Sequence, residues 1–315
     1  MFKIGAVNID TSHPKAFSEY LAKSSRARYT AVYNDGFRTD SEVENFMRKN
    51  NIENRSESIE EMADIVDIGF IQSCNWDNHI KQAMPFIERG KPVFIDKPIA
   101  GSMPDCRKLE ELASKGAVIL GSSSVRYAEE IADFINTPED ERGRILNVFG
   151  TSGVDEFNYA IHIAEAIGGI IGTGAVSNKF VGRAETDGKK CETFFVKFKN
   201  GITATYNAFH GVWHPFEVVI MTTKDTYRLR IDAGKVYEAL LDRLCDYMET
   251  KVNRLAPVEA ITESVKIMIA GKISRENGGN EISLCDIPEN DPGYDGNLFE
   301  QEYALTASRK IYSDN

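Results

Sequence analysis

From Phe2 to Gly121, short and wholly apolar runs alternate with segments whose apolar residues recur at helical spacing. Phe2 to Val7 reads as a strand, and Phe17, Tyr20 and Leu21 then share one helical face behind Pro14. Tyr29 to Tyr33 is a second strand, and Ser41-Glu42-Val43-Glu44 reads as a capping box opening a helix with Val43, Phe46 and Met47 inward. Ser58-Ile59-Glu60-Glu61 caps a short helix, Ile65 to Ile71 is a strand, and Ile80, Ala83, Met84 and Ile87 line a helix that Gly90 stops. Val93 to Ile95 and Val118 to Gly121 are further strands around a helix carrying Leu109 and Leu112. Strands apolar on both faces must be covered on both faces, and intervening helices make such a sheet parallel. Residues 1–123 are therefore expected to form a Rossmann-type, doubly wound α/β domain, a fold that takes its ligands outside the carboxyl ends of its strands.

Beyond that point the period changes. Phe194, Val196 and Phe198 alternate with lysines, Asn200-Gly201 is a hairpin turn, and Ile202, Ala204, Tyr206 and Ala208 resume the period of two. Val218 to Thr222 leads through Lys224-Asp225 to Tyr227, Leu229 and Ile231, a second antiparallel pair. Helices are expected at Tyr237 to Thr250 and at Pro257 to Glu276, with Gly278 as a stop, and the polar stretch from Pro288 reads as irregular until Phe299. Residues 124–315 thus make an α+β domain with a mainly antiparallel open sheet. It is expected to bind substrate and to self-associate, as a homodimer or homotetramer, through a sheet face carrying Phe194 and Val196.

With 37 basic against 48 acidic residues, the 315-residue chain carries a net charge of -11. That field repels polyanions, so neither nucleic acid nor an anionic membrane is an expected partner. Cys74, Cys106, Cys191, Cys245 and Cys285 are odd in number and contain no C-x-x-C pair, which points away from a disulfide framework or zinc ribbon. Met1 leads straight into a strand without a basic-then-apolar leader, and no apolar run nears membrane-spanning length. The expected location is the cytoplasm.

Lys97 follows the strand Val93 to Ile95, where open α/β sheets place ligands, and a partly desolvated lysine exchanges protons nearer neutrality. Paired with Asp96 at the surface, the same lysine would be inert. Three stretches stand in a telling order: Cys74-Asn75-Trp76-Asp77-Asn78-His79, then Gly90-Lys91-Pro92-Val93-Phe94-Ile95-Asp96-Lys97-Pro98, then Asn158-Tyr159-Ala160-Ile161-His162 with Ala166-Ile167-Gly168-Gly169 behind it. This order resembles the glucose-fructose oxidoreductase and inositol dehydrogenase (Gfo/Idh/MocA) family over nearly the whole chain. The resemblance implies a dehydrogenase moving a hydride between NAD or NADP and a hydroxyl-bearing carbon of a sugar, cyclitol or related polyol. Lys97 and His162 would then handle the hydroxyl proton, and Asn158 would orient the hydroxyl. Asn158 stands where the family has a carboxylate, and an amide cannot accept that proton. Taken alone, His162 reads more readily as a satisfied helix-start residue.

The family's glycine-rich phosphate loop falls on Asn8-Ile9-Asp10-Thr11-Ser12-His13, where no glycine remains. Side chains there crowd a pyrophosphate at the helix N-terminus and Asp10 repels it, whereas Thr11, Ser12 and protonated His13 attract it. A plain helix cap would use the same residues. The resemblance runs the rest of a dinucleotide along Asn34, Asp35 and Arg38, then along Ser73, Cys74, Asn75, Trp76 and His79, and beside Asp96 and Lys97. Asp35 favours NAD, Arg38 leaves NADP open, and Asn34-Asp35-Gly36 would also serve as a simple turn. Arg126, Tyr127, Tyr159, His210 and Trp213 are candidates to face substrate. His162, His210 and His214 have no carboxylate or cysteine at ligand spacing, so no metal site is expected. Two other readings stay open. One is a redox-inactive small-molecule binding or sensor protein on this scaffold, which the glycine-free loop favours; the other is a glycoside elimination or hydrolysis assisted by tightly held NAD.

Overall fold

A computed structural model describes residues 1–121, 123–307 and 309–312. Its first sheet has six strands, β1 (Phe2–Val7), β2 (Ala27–Tyr33), β3 (Asn54–Arg55), β4 (Ile68–Ile71), β5 (Val93–Ile95) and β6 (Ile119–Gly121), in the order β3-β2-β1-β4-β5-β6. Every neighbouring pair is parallel. Helices α1 (His13–Ser24), α2 (Asp40–Lys49), α3 (Ile59–Ile65), α4 (His79–Glu88) and α5 (Met103–Ser114) connect them. β4 and β5 are buried at every position, as strands covered on both faces must be. Chain order reverses between β1 and β4, so the loops after β1, β2, β4 and β5 meet at one edge, the usual ligand crevice. Ser58 caps α3 as its sequence announces, through Glu61 N. At α2 the capping box is Thr39 with Glu42, not Ser41 with Glu44, because Thr39 keeps the extended backbone a cap needs while Asp40 is already helical.

After α6 (Glu129–Asn136) and the single turn α7 (Glu139–Arg142) the second sheet begins. It contains β7 (Ile145–Ser152), β8 (Ala175–Thr186), β9 (Lys189–Phe198), β10 (Thr203–His210), β11 (Glu217–Thr222), β12 (Thr226–Arg230) and β13 (Ile282–Ser283). Their order is β12-β11-β7-β10-β9-β8-β13, antiparallel except at β7–β10. Helices α8 (Ala160–Ile171) and α10 (Val258–Glu276) cover one face. Phe194 and Val196 point into that covered core, 0% and 1% exposed, so the self-association face expected to carry them does not. The pleat puts alternate residues on opposite faces, and Phe195, Phe149 and Val219 line the open one.

Two later segments return to the first sheet. Helix α9 (Val236–Thr250) lays Leu240, Leu241, Leu244 and Met248 into one core with Ile4, Phe17, Leu21 and Phe70. The polar stretch after Pro288 is less irregular than expected: α11 (Gly296–Thr306) starts three residues before Phe299, its amino end capped by the Asp295 carboxylate on Leu298 N at 2.8 Å. A short 3-10 turn, Arg309–Tyr312, follows. Among the described residues no helix is long and apolar enough to cross a membrane.

Candidate active site

The loop between β1 and α1 is filled rather than open. Asn8 adopts a left-handed conformation at φ 63°, as a glycine would, and its Oδ1 accepts Asp35 N at 2.9 Å. Ile9 and Asp10 are fully buried. The Asp10 carboxylate accepts Cys74 N at 2.9 Å and lies so close to Gly36 that a Cβ there would sit 2.2 Å from Oδ1; only glycine fits. Burial pushes the Asp10 carboxyl up to about 7, although the Cys74 amide opposes the shift. The Asp10 carbonyl takes Arg38 Nε at 3.0 Å and Nη2 at 2.7 Å, and Arg38 also reaches Glu42 at 2.9 Å. The Arg38 guanidinium is stacked between Phe37 and Tyr312, at 4.9 and 5.2 Å. Thr11 is half-buried, its carbonyl accepting the Tyr312 hydroxyl at 2.6 Å, and Ser12 is exposed without making a side-chain cap.

These positions do not fit an extended dinucleotide in this conformation. Asp10, Arg38 and Tyr312 occupy the ground between the loops after β1 and β2, and Glu300 comes within reach of Asp10 and Cys74 from the other side. Asn34 turns back to the Arg38 carbonyl, and Asp35, though exposed, receives Gln82 Nε2 at 3.3 Å. In the loop after β4, Ser73 donates to Gln82, Asn75 donates to Asn297 and Glu300, and Trp76 Nε1 donates to the Tyr294 carbonyl. His79 is a strut. Its two ring nitrogens face the carbonyls of Ser73 and Ile99, and burial lowers its pKa.

Lys97 lies at the end of β5, and its surroundings are better defined. Its ammonium nitrogen donates to both oxygens of Asn158, O at 3.0 Å and Oδ1 at 2.7 Å, above the Tyr159 ring. Asn158 Nδ2 points in turn to Asp155 Oδ2 at 3.3 Å, and Asp155 Oδ1 accepts Tyr159 N at 3.0 Å. Burial lowers the Lys97 pKa, against the charges of Asp96 and Asp155. Asp96 holds His13 Nδ1 at 2.6 Å, and contact with His13 and Lys97 outweighs burial to keep its carboxyl below the ordinary value. His13 is in turn packed by Phe17 and Tyr237.

His162 sits in the first turn of α8, 5% exposed, against Tyr159 and Phe216. Its Nδ1 meets the Ser123 hydroxyl, whose oxygen already accepts Val125 N at 3.1 Å. Ser123 therefore satisfies its single proton by donating to Nδ1, which puts the ring proton on Nε2. Burial, then the Lys97 and His13 charges, press the His162 pKa well down, so the ring is neutral and offers an N–H. Glu165, fully buried, fixes this strut by accepting Ser123 N with both oxygens at 3.0 Å. A groove of about 900 Å³ opens beside the centre, with Trp76, Asp155, Phe157, Asn158, Tyr294 and Phe299 in its wall.

The other sequence candidates are scattered. Tyr159 joins Lys97, while His210 lines the same groove from β10, 3.3 Å from Glu192. Trp213 is 65% exposed, and Arg126 and Tyr127 line a different hollow with Arg243 and Leu255. Asp155, Ser123, Phe216 and Tyr237 escaped the sequence reading, since none stands in a spaced motif.

Residues 4–123 match the model of the oxidoreductase family with an NAD-binding Rossmann fold. The match covers the first domain and makes that domain similar to the NAD-binding domain of Gfo/Idh/MocA oxidoreductases. No curated protein matches the chain by sequence. Solved structures share its fold at low identity. A probable dehydrogenase from Thermotoga maritima is 14% identical with a TM-score of 0.78, over 91% of this chain and 100% of that one. A scyllo-inositol dehydrogenase from Lactobacillus casei, crystallised with NAD(H) and scyllo-inositol, gives 14% and 0.77 over 91% and 100%. A myo-inositol dehydrogenase from the same organism, with NAD(H) and myo-inositol, gives 12% and 0.76 over 90% and 96%.

Proposed function

We propose that the protein is an oxidoreductase acting on a hydroxyl-bearing carbon of a sugar, cyclitol or related polyol, with Lys97 as the proton acceptor. The observation that carries this reading is the Lys97–Asn158 pair. Two lysine hydrogens go to Asn158 O and Oδ1, and burial favours the neutral amine, whose lone pair is left to take the hydroxyl proton. His162 Nε2–H is a donor, not a base, and would steady the oxygen as it loses its proton. Asn158 holds the amine rather than the substrate charge. The hydride partner the family implies is NAD or NADP, for which the crevice described has no room, so the residues named supply the proton half of the reaction. The cytoplasm, and assembly as a homodimer or homotetramer through the open face of the second sheet, complete the reading.

The test is oxidation of a polyol panel that includes scyllo- and myo-inositol, with NAD and with NADP. Nucleotide reduction by the unmodified chain that falls about 10²- to 10⁴-fold in Lys97→Ala, with little change in nucleotide affinity, supports the role. Turnover unaffected by Lys97→Ala removes Lys97 from it. A redox-inactive small-molecule binding protein is the second reading, favoured by the filled crevice around Asp10 and Arg38. It would bind a polyol while neither NADH nor NADPH binds at millimolar concentration.

A further inference from the structure

The crevice is filled by the chain's own later residues, and they track the path of a dinucleotide. Residues 294–307 and 309–312 touch in turn the loops after β4, β2 and β1. At the loop after β4, the Tyr294 carbonyl accepts Trp76 Nε1 at 2.8 Å, the Asp77 carboxylate accepts Gly296 N at 3.0 Å, and Asn75 Nδ2 donates to Asn297 at 2.9 Å and Glu300 at 3.0 Å. At the loop after β2, Tyr303 packs edge-on against Phe37, and Tyr312 covers Arg38. At the loop after β1, the Tyr312 hydroxyl donates to Thr11 O at 2.6 Å. In a doubly wound domain the loops after β2 and β1 take the adenosine and the pyrophosphate. Tyr312 thus lays a flat ring on a guanidinium at the adenosine end, the kind of contact a base would make with it.

Asn297 and Leu298 are exposed and Glu300 and Tyr303 half-buried, while Gly296 and Tyr312 are buried. Tyr294 stacks on Phe157 and Phe299 packs on Trp76, but α11 itself buries only Gly296, and so shallow a helix belongs to the low-stability end of a fold, where local opening is cheap. Resting on the oxidoreductase reading, we propose that this segment and a nicotinamide dinucleotide exclude one another: the nucleotide binds when the segment lifts from Thr11, Arg38 and Asn75, and the segment closes the crevice when no nucleotide is present. Exclusion is reciprocal by linkage, so whatever loosens the segment tightens the nucleotide by the same factor, and the nucleotide loosens the segment.

The experiment measures both arms on the full chain. NADH and NADPH are titrated by calorimetry into the unmodified protein and into Tyr312→Ala, and amide hydrogen exchange is followed across 296–306 with and without NADH. The expected result is affinity about tenfold tighter in Tyr312→Ala, with faster exchange in the unmodified chain once NADH is bound. Should Tyr312→Ala fail to fold, the double change of Asn297→Ala and Glu300→Ala, at exposed and half-buried positions of α11, must give the same direction. Equal affinities with unchanged exchange overturn the exclusion and leave the oxidoreductase reading standing, because the nucleotide binds. Absence of binding by every form at millimolar concentration overturns both.

Discussion

Asp155 carries a charge that Asn158 lacks. It touches Asn158 and faces Lys97 together with Asp96, Cys74 and Glu165, with the neutral His162 ring on the other side of the lysine charge. Asp155→Asn keeps the size and one of the two accepted hydrogen bonds but deletes one charge that raises the Lys97 pKa, so the lysine should titrate at lower pH than in the unmodified chain. NMR of isotopically methylated lysines reads that midpoint without substrate, and an unmoved midpoint would leave Asp155 a purely structural residue. Asp10 yields a second expectation. Its pKa is raised from 3.8 to about 7 on folding, so the native state binds a proton that the unfolded chain releases. Stability from Asp10 is therefore present at low pH and lost as pH rises between about 4 and 7, by up to about 1.4 kcal/mol per pH unit. Buried His79 and His162 have lowered pKa values and act in the opposite sense, so the quantity to measure is the difference between unmodified protein and Asp10→Asn in urea unfolding from pH 5 to 8. Asp10→Asn should gain relative stability as pH rises; a pH-independent difference would mean Asp10 is ionised in the native state. Lys97, Asn158 and His162 were legible in the sequence because strand end, helix start and family order all mark them. Asp155 and Ser123 were not, since each lies in a loop and gains its meaning only when folding places it against a partner distant in the chain.

Helix caps are the element-scale signals that a sequence writes most plainly, and α2 shows their margin of error. Thr39 and Glu42 exchange side-chain and backbone hydrogen bonds, so Thr39→Ala should cost about 1 kcal/mol in urea unfolding, whereas Ser41→Ala, in the exposed first turn, should cost almost nothing. The reverse ranking would return the cap to Ser41. The parallel sheet could be read directly because its strands are apolar throughout, a pattern few other arrangements tolerate. The destinations of α9 and α11 could not. An apolar stripe states that a helix covers something, and Leu240, Leu241 and Leu244 say nothing about whether that is the sheet just completed or the one left more than a hundred residues earlier. The filled crevice was hidden for the same reason: Tyr312 and Thr11 meet across nearly the whole sequence.

At the scale of the whole molecule, the seven-stranded second sheet turns a face lined by half-buried Phe149, Phe195 and Val219 away from α8 and α10. Register aligns Val219, Phe149, Thr205 and Phe195 in one row across it, with Arg228 and Lys179 at the two ends. Strands about 4.8 Å apart and about six residues long make such a face about 30 by 20 Å, or about 600 Å², against the roughly 800 Å² that each partner contributes to a stable interface. On the proposed reading, a second copy would present the same apolar row within a polar margin, and two-fold pairing would close the assembly. Phe195→Glu places a charge at the centre of that row on a half-exposed side chain, away from the Phe194 core and from Lys97. Sedimentation should show the unmodified chain as a dimer or tetramer and Phe195→Glu shifted to the protomer, with the same melting profile at high dilution. A protomeric unmodified chain, or an assembly indifferent to Phe195→Glu, would move the interface elsewhere or remove it.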